Sequence, residues 1–321
     1  MITLPRIKIA HLPTPLEPLP RLSAILDGPN LFVKRDDLTG LALGGNKTRK
    51  LEYLIAEAQA NGARTLITAG AVQSNHCRQT AAAAARFGFD CILVLTGVEP
   101  QVLEGNTLLD HLLGAQIIWT TREKREETLQ TTFARCWDNG QRPYMIPYGG
   151  SNAIGASAYA QAFLELLGQM DSFDWVVFAS SSGGTQAGLA IGAQIANWNG
   201  GLLGISVDET ESILRTKVSE LIAATLEKNG LVPAQAEYTN LINDSYTGAG
   251  YAIMDQPEKE AIHLFAEQEA LLLDPVYTGR AAAGLIDLIR RGFFKKSESV
   301  VFWHTGGIPA LFAPQYTQLL H

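Results

Sequence analysis

The chain has 321 residues, of which 46% are hydrophobic and 30 are glycine, enough for one large domain or two joined domains with a substantial core. Its formal charge of −7 and pI near 5.4 argue against a general nucleic-acid-binding protein, because binding to phosphate backbones needs a basic face. Three cysteines and six histidines lack the spacing of a disulfide framework or a metal site, so no metal and a cytoplasmic location are expected.

The N-terminal segment is interrupted by prolines and has no continuous apolar core, so neither a signal peptide nor a membrane helix is expected. Further along, short apolar segments alternate with alanine-rich stretches, which predicts parallel strands joined by crossover helices. The predicted strands cover residues 31–34, 65–68, 91–96, 116–120, 145–147, 175–179, 201–207 and 300–304. The predicted helices cover residues 47–61, 75–87, 107–113, 153–169 and 184–198. The fold class is therefore α/β with mostly parallel, doubly wound sheets, in which the loops after strands carry ligand sites.

The first notable segment is 44-GGNKTRK-50, which predicts a helix start with Asn46 as the N-cap residue. Lys47, Arg49 and Lys50 then lie in a first turn where the helix dipole disfavours positive charge. A solvated surface turn is one explanation. The other is an anionic ligand bound at the helix N-terminus, with Lys47 available as a nucleophilic amine.

The segment 73-QSNHCRQT-80 also begins a predicted helix and brings Ser74, Asn75 and His76 together. Ordinary capping by Ser74 or Asn75 is one interpretation, and a binding site is the other. A serine hydrolase is disfavoured, because the chain has no G-x-S-x-G segment and no acid partner is evident.

The segment 180-SSSGGTQ-186 follows a predicted strand and begins a helix, which suits either a monophosphate cradle or a plain tight turn. It does not match the fingerprints of nucleotide-binding loops. Nearer the C-terminus, 248-GAGY-251, 274-DPVYTGR-280 and 304-HTGG-307 place four hydroxyl side chains in glycine-containing loops, namely Tyr251, Tyr277, Thr278 and Thr305.

These segments, in this order, resemble the pyridoxal-phosphate enzymes of the tryptophan-synthase β-subunit type. The resemblance is narrower to the family containing D-cysteine desulfhydrase and 1-aminocyclopropane-1-carboxylate deaminase, and it covers nearly the whole chain. The segments that carry it are 34-KRDDLTG-40, 44-GGNKTRKLEY-53, 73-QSN-75, 148-YGGSN-152, 180-SSSGGTQAG-188, 274-DPVYTG-279 and 304-HTGGIPAL-311. It implies fold type II, with a large cofactor-binding domain (residues 1–50 and 165–321) and a small domain (residues 51–164).

The resemblance also implies residue roles. Lys47 would carry pyridoxal 5'-phosphate as a Schiff base, Lys50 would assist an anion, and Asn75 would hydrogen-bond the phenolic oxygen of the cofactor. Three residues would hold the cofactor phosphate through backbone groups, namely Gly183, Gly184 and Thr185. Arg49 is expected to be structural. The catalytic groups would be Lys47, Ser74, Tyr277 and Tyr251, and the substrate would be bound by Ser74, Asn75 and His76.

Thr278 and Thr305 are expected near the pyridine nitrogen of the cofactor, where the deaminases carry glutamate and leucine. A hydroxyl cannot keep that nitrogen protonated as a carboxylate does, which favours β-elimination over ring opening. The predicted reaction is elimination of D-cysteine to pyruvate, hydrogen sulfide and ammonia, by a homodimer that binds no nucleic acid or membrane. The alternatives are the cyclopropane deaminase, a cysteate sulfo-lyase and a non-catalytic small-anion-binding module.

Overall fold

A computed structural model describes residues 2–232 and 239–320. The strands are β1 Leu16–Pro18, β2 Asn30–Arg35, β3 Thr65–Ala71, β4 Asp90–Thr96, β5 Gln116–Thr120, β6 Pro143–Met145, β7 Trp175–Ser180, β8 Gly201–Ser206, β9 Thr239–Asn243 and β10 Ser299–His304. The α-helices are α1 Pro20–Ile25, α2 Lys47–Ala60, α3 Asn75–Phe87, α4 Gly105–Leu112, α5 Arg125–Asp138, α6 Ala153–Leu167, α7 Gly184–Ile195, α8 Glu211–Lys228, α9 Gln256–Glu269, α10 Thr278–Arg290 and α11 Pro314–Thr317. Short 3-10 helices cover Asp36–Leu38, Tyr148–Gly150 and Ile308–Phe312.

The described strands form two sheets. One has six strands in the order β1-β2-β10-β7-β8-β9, in which β1 pairs antiparallel with β2 and the other neighbours are parallel. The other sheet has four parallel strands in the order β5-β4-β3-β6. Parallel neighbours need crossover connections, and helices supply most of them. The predicted α/β class with mostly parallel sheets is confirmed.

The six-stranded sheet is covered by apolar side chains on both faces, as parallel sheets require. Along β7, Val176 and Phe178 join a cluster with Phe163 of α6, whereas Val177 joins the cluster that contains Leu285 of α10. This alternation follows from the two-residue period of a strand. The sheet therefore lies between the layer formed by α6 and α7 and the layer that includes α10.

Most of the predicted elements are present, with shifted ends. The strand 116–120 and the starts of the helices at residues 47, 75, 153 and 184 agree with the structure. The predicted strand 145–147 is wrong, because β6 ends at Met145. The sequence analysis did not predict β1, β9, α1, α5, α8, α9, α10 or α11. Edge strand β9, of sequence TNLIN, has too few apolar residues to give a strand pattern.

The first turn of α2 is not a solvated surface turn. Arg49 and Lys50 are both buried, and Lys47 is half-buried. Asn46 precedes the helix as predicted, but its side chain does not cap it, because its backbone is already helical, with φ −59° and ψ −24°. Its amide nitrogen donates to Thr185 Oγ1 at 3.3 Å. The three cations are therefore placed inside the molecule, where each needs a partner.

Arg49 has its partners within the protein. Its guanidinium donates to both carboxylate oxygens of Asp36 at 2.8–3.0 Å and to both carboxylate oxygens of Glu165 at 2.8–2.9 Å. Asp36 also accepts from the Tyr159 hydroxyl at 2.5 Å and from Trp303 Nε1 at 2.9 Å. These bonds join the start of α2 to α6 and β10, so the structural role expected for Arg49 agrees with its contacts.

We expect Arg49→Ala to lower the free energy of unfolding by about 3 kcal/mol or more, because it leaves the Asp36 carboxylate buried without its ion-pair partner and Glu165 with Lys34 alone. Urea denaturation followed by circular dichroism measures the change. The matched control is Arg290→Ala, whose pair with Glu260 is about half exposed and should contribute less than about 1 kcal/mol. Equal losses in the two variants would contradict the structural role of Arg49.

Candidate active site

A cavity lies where strands of both sheets end. The ends of β3, β7 and β10 meet there with the starts of α2, α3 and α7. Its walls are formed by Asn46, Lys47, Ala69, Ser74, Asn75, His76, Tyr148, Gly149, Ala179, Ser180, Ser181, Ser182, Gly183, Thr185, Tyr277, Thr305 and Gly306. Eight residues singled out from the sequence are therefore brought together, namely Lys47, Ser74, Asn75, His76, Gly183, Thr185, Tyr277 and Thr305.

Lys47 is the first residue of α2 and lines the cavity. Burial lowers the pKa of its amine from 10.5 to about 8. A substantial fraction of the side chain is therefore an uncharged amine slightly above neutral pH, and the uncharged amine is the form that attacks a carbonyl carbon.

Lys50 lies one turn further along α2 and is fully buried. Its ammonium donates to the Gly149 carbonyl and to Ser151 Oγ, both at 3.2 Å. Burial and the charge of Lys47 lower its pKa well below the ordinary value. No described carboxylate lies within ion-pair distance of it, in contrast to Arg49. A buried lysine amine without a carboxylate, whose charged form is disfavoured until an anion lies beside it, indicates a site for an anionic ligand.

The loop after β7 supplies backbone N–H groups at the same place. Gly183 has a φ of +79°, which a side chain rarely tolerates, and α7 begins at Gly184. A Cβ on Gly184 would lie 3.0 Å from Lys50 Nζ and 2.5 Å from Ser151 Oγ. The two glycines thus allow the start of α7 to approach the buried ammonium, and free N–H groups at such a start bind phosphates.

The start of α3 forms another wall. Ser74 caps this helix, because its Oγ accepts from the Cys77 N–H at 3.2 Å. Asn75 Oδ1 accepts from Asn106 Nδ2 at 2.9 Å. His76 lines the cavity, but its Nε2 bonds to Thr68 Oγ1 at 2.9 Å. Burial, followed by the charges of the two lysines of α2, lowers the pKa of His76 well below its ordinary value, so its ring is uncharged.

Tyr277 lines the cavity, and its hydroxyl lies 2.7 Å from that of Tyr251. Tyr251 is not among the lining residues and reaches the cavity only through Tyr277. Burial raises the pKa of both tyrosines well above the ordinary value, and for Tyr277 the neighbouring phenol of Tyr251 adds to this rise. Both phenols are therefore protonated at neutral pH, which suits donation of a proton better than removal of one.

The position of Thr278 differs from the position expected for a residue that contacts the cofactor. It is the first residue of α10 rather than a loop residue, it is fully buried, and it is not among the residues that line the cavity. Its hydroxyl donates to Asp274 Oδ1 at 2.7 Å. Asp274 also accepts from the backbone N–H groups of residues 276 to 278 at 2.7–3.0 Å, so its carboxylate caps α10 and fixes the loop that carries Tyr277. Thr305, by contrast, lines the cavity.

Several site residues were missed by the sequence analysis. Ser151, Ser182, Tyr148 and Asp274 lie in segments that had been singled out, but no role was given to them. Asn106, which contacts Asn75 from α4, had no signal at all in the sequence, since it lies 31 residues away.

Two further searches cover the described residues only. None of their helices has both the length and the apolar character needed to span a membrane. Their His, Cys, Asp and Glu side chains do not form a group of three or more that could bind a metal ion. His321, one of the six histidines, lies outside the described residues.

The family model described as "pyridoxal-phosphate dependent enzyme" matches residues 7–306. The chain belongs to this family of pyridoxal-phosphate-dependent enzymes. It is 45% identical to a D-cysteine desulfhydrase of Klebsiella pneumoniae (strain 342), and the match covers 96% of both chains. The crystal structure of an ACC deaminase homologue matches with a TM-score of 0.90 and 36% identity, over 99% of this chain and 95% of the other.

A fungal L-serine ammonia-lyase from Rhizomucor miehei matches with a TM-score of 0.71 and 18% identity over 98% of both chains, which shows the shared fold alone. The fold expected from the resemblance, fold type II of the pyridoxal-phosphate enzymes, is thus confirmed. The predicted cofactor, pyridoxal 5'-phosphate, is confirmed by the family.

The cavity suits this cofactor in charge and shape. The buried Lys50 ammonium and the glycine cradle at residues 183–184 match a phosphate, and the half-buried amine of Lys47 lies on the wall of the same cavity. The family cofactor therefore has an amine for its aldehyde on the cavity wall, and Lys50 lies behind that wall beside the glycine cradle.

We expect the Lys47 amine of the cofactor-free protein to titrate near pH 8, since burial disfavours its charged form. Below that pH the amine is protonated and unreactive, so its acetylation rate should rise with pH to a plateau with a midpoint near 8. Mass spectrometry of the peptide containing Lys47, with the peptide of exposed Lys228 as the reference, measures this rate. A midpoint near the ordinary value of 10.5 would contradict the expected effect of burial.

Proposed function

We propose that this enzyme is a lyase that eliminates hydrogen sulfide from D-cysteine, leaving pyruvate and ammonia. The support from comparison is the curated relative of that name at 45% identity. The observation that carries the proposal is that the cavity walls contain no Asp or Glu among the described residues. The nearby carboxylate of Asp274 already accepts four hydrogen bonds from its own loop and helix. A pyridine nitrogen in this cavity would therefore meet hydroxyl groups such as that of Thr305, which favours elimination of a good leaving group.

The residues that would hold the cofactor follow from the cavity. Lys47 would attach to it, the buried Lys50 and the N–H groups of residues 183–185 would bind its phosphate, and Asn75 would donate to its phenolic oxygen. Thr305 is proposed beside the pyridine nitrogen. Thr278 would act indirectly, because its hydroxyl donates a hydrogen bond that holds the carboxylate of Asp274 in place. When bound, this cofactor withdraws electrons from the α-carbon of an amino acid.

The remaining residues would handle the substrate. Ser74 and Asn75, at the N-terminal start of α3, would bind the substrate carboxylate, since helix N-termini attract anions. His76 would contact the substrate only as an uncharged side chain of the cavity wall, because its Nε2 is hydrogen-bonded to Thr68. Lys47 would exchange protons with the α-carbon, and the protonated phenol of Tyr277, supported by Tyr251, would donate a proton to the leaving sulfur.

The other candidate reactions have less support. A cysteate sulfo-lyase needs charge compensation for a sulfonate, and the only cation among the described lining residues is Lys47. A cyclopropane deaminase is favoured by the structural match to an ACC deaminase homologue but not by the absence of a lining carboxylate. A non-catalytic anion-binding module would have no need for a reactive amine beside its anion site.

An assay of 2-oxo-acid release over D-cysteine, L-cysteine, cysteate, D-serine and the cyclopropane amino acid tests the proposal, with pyruvate as the product from the first four and 2-oxobutanoate as the product of ring opening. We expect D-cysteine to give the highest kcat/KM, with sulfide released in equal amount. Pyruvate without sulfide, or faster turnover of cysteate, would contradict it, and ammonia release from the cyclopropane substrate alone would favour the deaminase.

Lys47→Ala is the control for chemistry, because it should abolish turnover and the visible absorbance of the bound cofactor. In the parent protein, borohydride should remove that band and add the mass of the reduced cofactor to the peptide containing Lys47. The half-buried side chain of Lys47 makes no ion pair with the described residues, so the variant should fold normally. Turnover at the parent rate would contradict the role of Lys47.

We also propose two domains with the cofactor between them, a larger one formed by residues 1–50 and 165–321 and a smaller one formed by residues 51–164. All strands of the six-stranded sheet come from the first set of residues, and all strands of the four-stranded sheet from the second. Helix α6 crosses this division, since Tyr159 and Phe163 pack in the core of the six-stranded sheet. The boundary between the two packed cores therefore does not coincide with the division at residue 164 along the chain.

We further propose that the enzyme is a cytoplasmic homodimer, as the family resemblance implies. Light scattering at micromolar concentration should give twice the chain mass of 34.7 kDa. A stable mass equal to that of one chain would contradict the dimer.

A further inference from the structure

Asn106, the second residue of α4, is fully buried and holds the loop that carries Asn75. Its side-chain nitrogen donates to Asn75 Oδ1 and to the Gln73 carbonyl, both at 2.9 Å. Its backbone N–H donates to Gln73 Oε1 at 2.7 Å. Gly105, with a φ of +56°, permits this approach, since a Cβ there would lie 2.5 Å from Gln73 Oε1.

This contact decides which end of the Asn75 carboxamide faces the cavity. An amide has an acceptor oxygen and two donor hydrogens on its nitrogen. Because Asn75 Oδ1 is engaged by Asn106, the donor end is the one left at the cavity wall, near Gly307. An anionic oxygen of a ligand requires a donor and is repelled by a carbonyl oxygen.

Asn106 uses its side chain here as a donor only. Its own Oδ1 is buried and has no hydrogen-bond partner among the described residues. Leaving a buried acceptor unsatisfied costs free energy, so the packing of α4 alone does not explain an asparagine at this position. The two donated bonds do explain it.

We propose that Asn106 is a positioning residue that fixes the orientation of the Asn75 amide and so lets Asn75 donate a hydrogen bond to the phenolic oxygen of the cofactor. The inference rests on the proposed role of Asn75 and is independent of the substrate. A donor to that oxygen stabilises its ionised form, so its loss weakens cofactor binding and raises the pH at which the visible band of the bound cofactor titrates.

The test is the dissociation constant of pyridoxal 5'-phosphate for the cofactor-free protein, measured by absorbance titration of the parent, Asn106→Ala, Asn75→Ala and the double variant. We expect each single variant to bind about tenfold more weakly, the size expected for one hydrogen bond to a charged acceptor. The double variant should bind like Asn75→Ala, because Asn106 acts through Asn75. Both single variants should shift the pH midpoint of the visible band upward.

Asn229→Ala is the matched control. Asn229 also donates two side-chain hydrogen bonds, to Ser157 Oγ and the Thr225 carbonyl, and its Oδ1 likewise lacks a partner among the described residues, but it lies at the end of α8. It should change neither the affinity nor the midpoint. Parent-like affinity of Asn106→Ala, or an equal loss in the Asn75→Ala background, would overturn the inference. Parent-like affinity of Asn75→Ala would instead refute the proposed role of Asn75, and neither result depends on turnover of D-cysteine.

Discussion

The burial of Lys50 without a carboxylate is the constraint around which this site is organised, because its charged form is favoured only with an anion beside it. Lys47 and Lys50 are three residues apart and lie on one face of α2, whereas Arg49 lies roughly 160° away from Lys47 around the helix axis. The face that carries Arg49 is neutralised within the protein, by Asp36 and Glu165. The lysine face has no such carboxylate among the described residues, and its Lys47 lines the cavity. The same helical turn thus carries one cation that is paired within the protein and two lysines that are not.

The parallel sheets bring the partners of these cations together. Strands β7 and β10 are parallel neighbours that end at the same edge of the six-stranded sheet, and β3 of the four-stranded sheet ends at the same cavity, so the three loops meet although they are far apart in sequence. Each loop contributes one kind of group. The loop after β3 leads into Ser74 and Asn75, the loop after β7 gives the glycine cradle, and Thr305 directly follows β10. Small changes in the length of these loops would separate the amine of Lys47 from the phosphate cradle.

The sequence predicted those features that depend on local chemistry. The segment containing Lys47 was found through three cations in the first turn of a helix, the segment containing Ser74 through polar residues at a helix start, and the segment containing Gly183 through glycines after an apolar strand. The sequence did not predict the features that depend on tertiary contacts. The side chain of Asn46 donates to Thr185, 139 residues away, and Asn106 contacts Asn75 from a helix that no local signal connects with it. Thr278 was placed in a loop, whereas it begins α10 and its N–H donates to the carboxylate of Asp274.

The cavity prefers anions because the negative charge near it is compensated within the protein, whereas the positive charge is not. The carboxylate of Asp274 lies close behind the wall, next to Gly307, but it is satisfied by N–H groups at the start of α10, where the helix dipole also favours negative charge. Its negative charge therefore stabilises the loop that carries Tyr277. The lysines of α2 lie at the start of a helix, where the dipole disfavours them, and their burial lowers the pKa of both. Negative charge is thus compensated by the protein, whereas positive charge is left for the ligand. Such a site favours a phosphate and an amino-acid carboxylate, and it keeps the amine of Lys47 reactive until they bind.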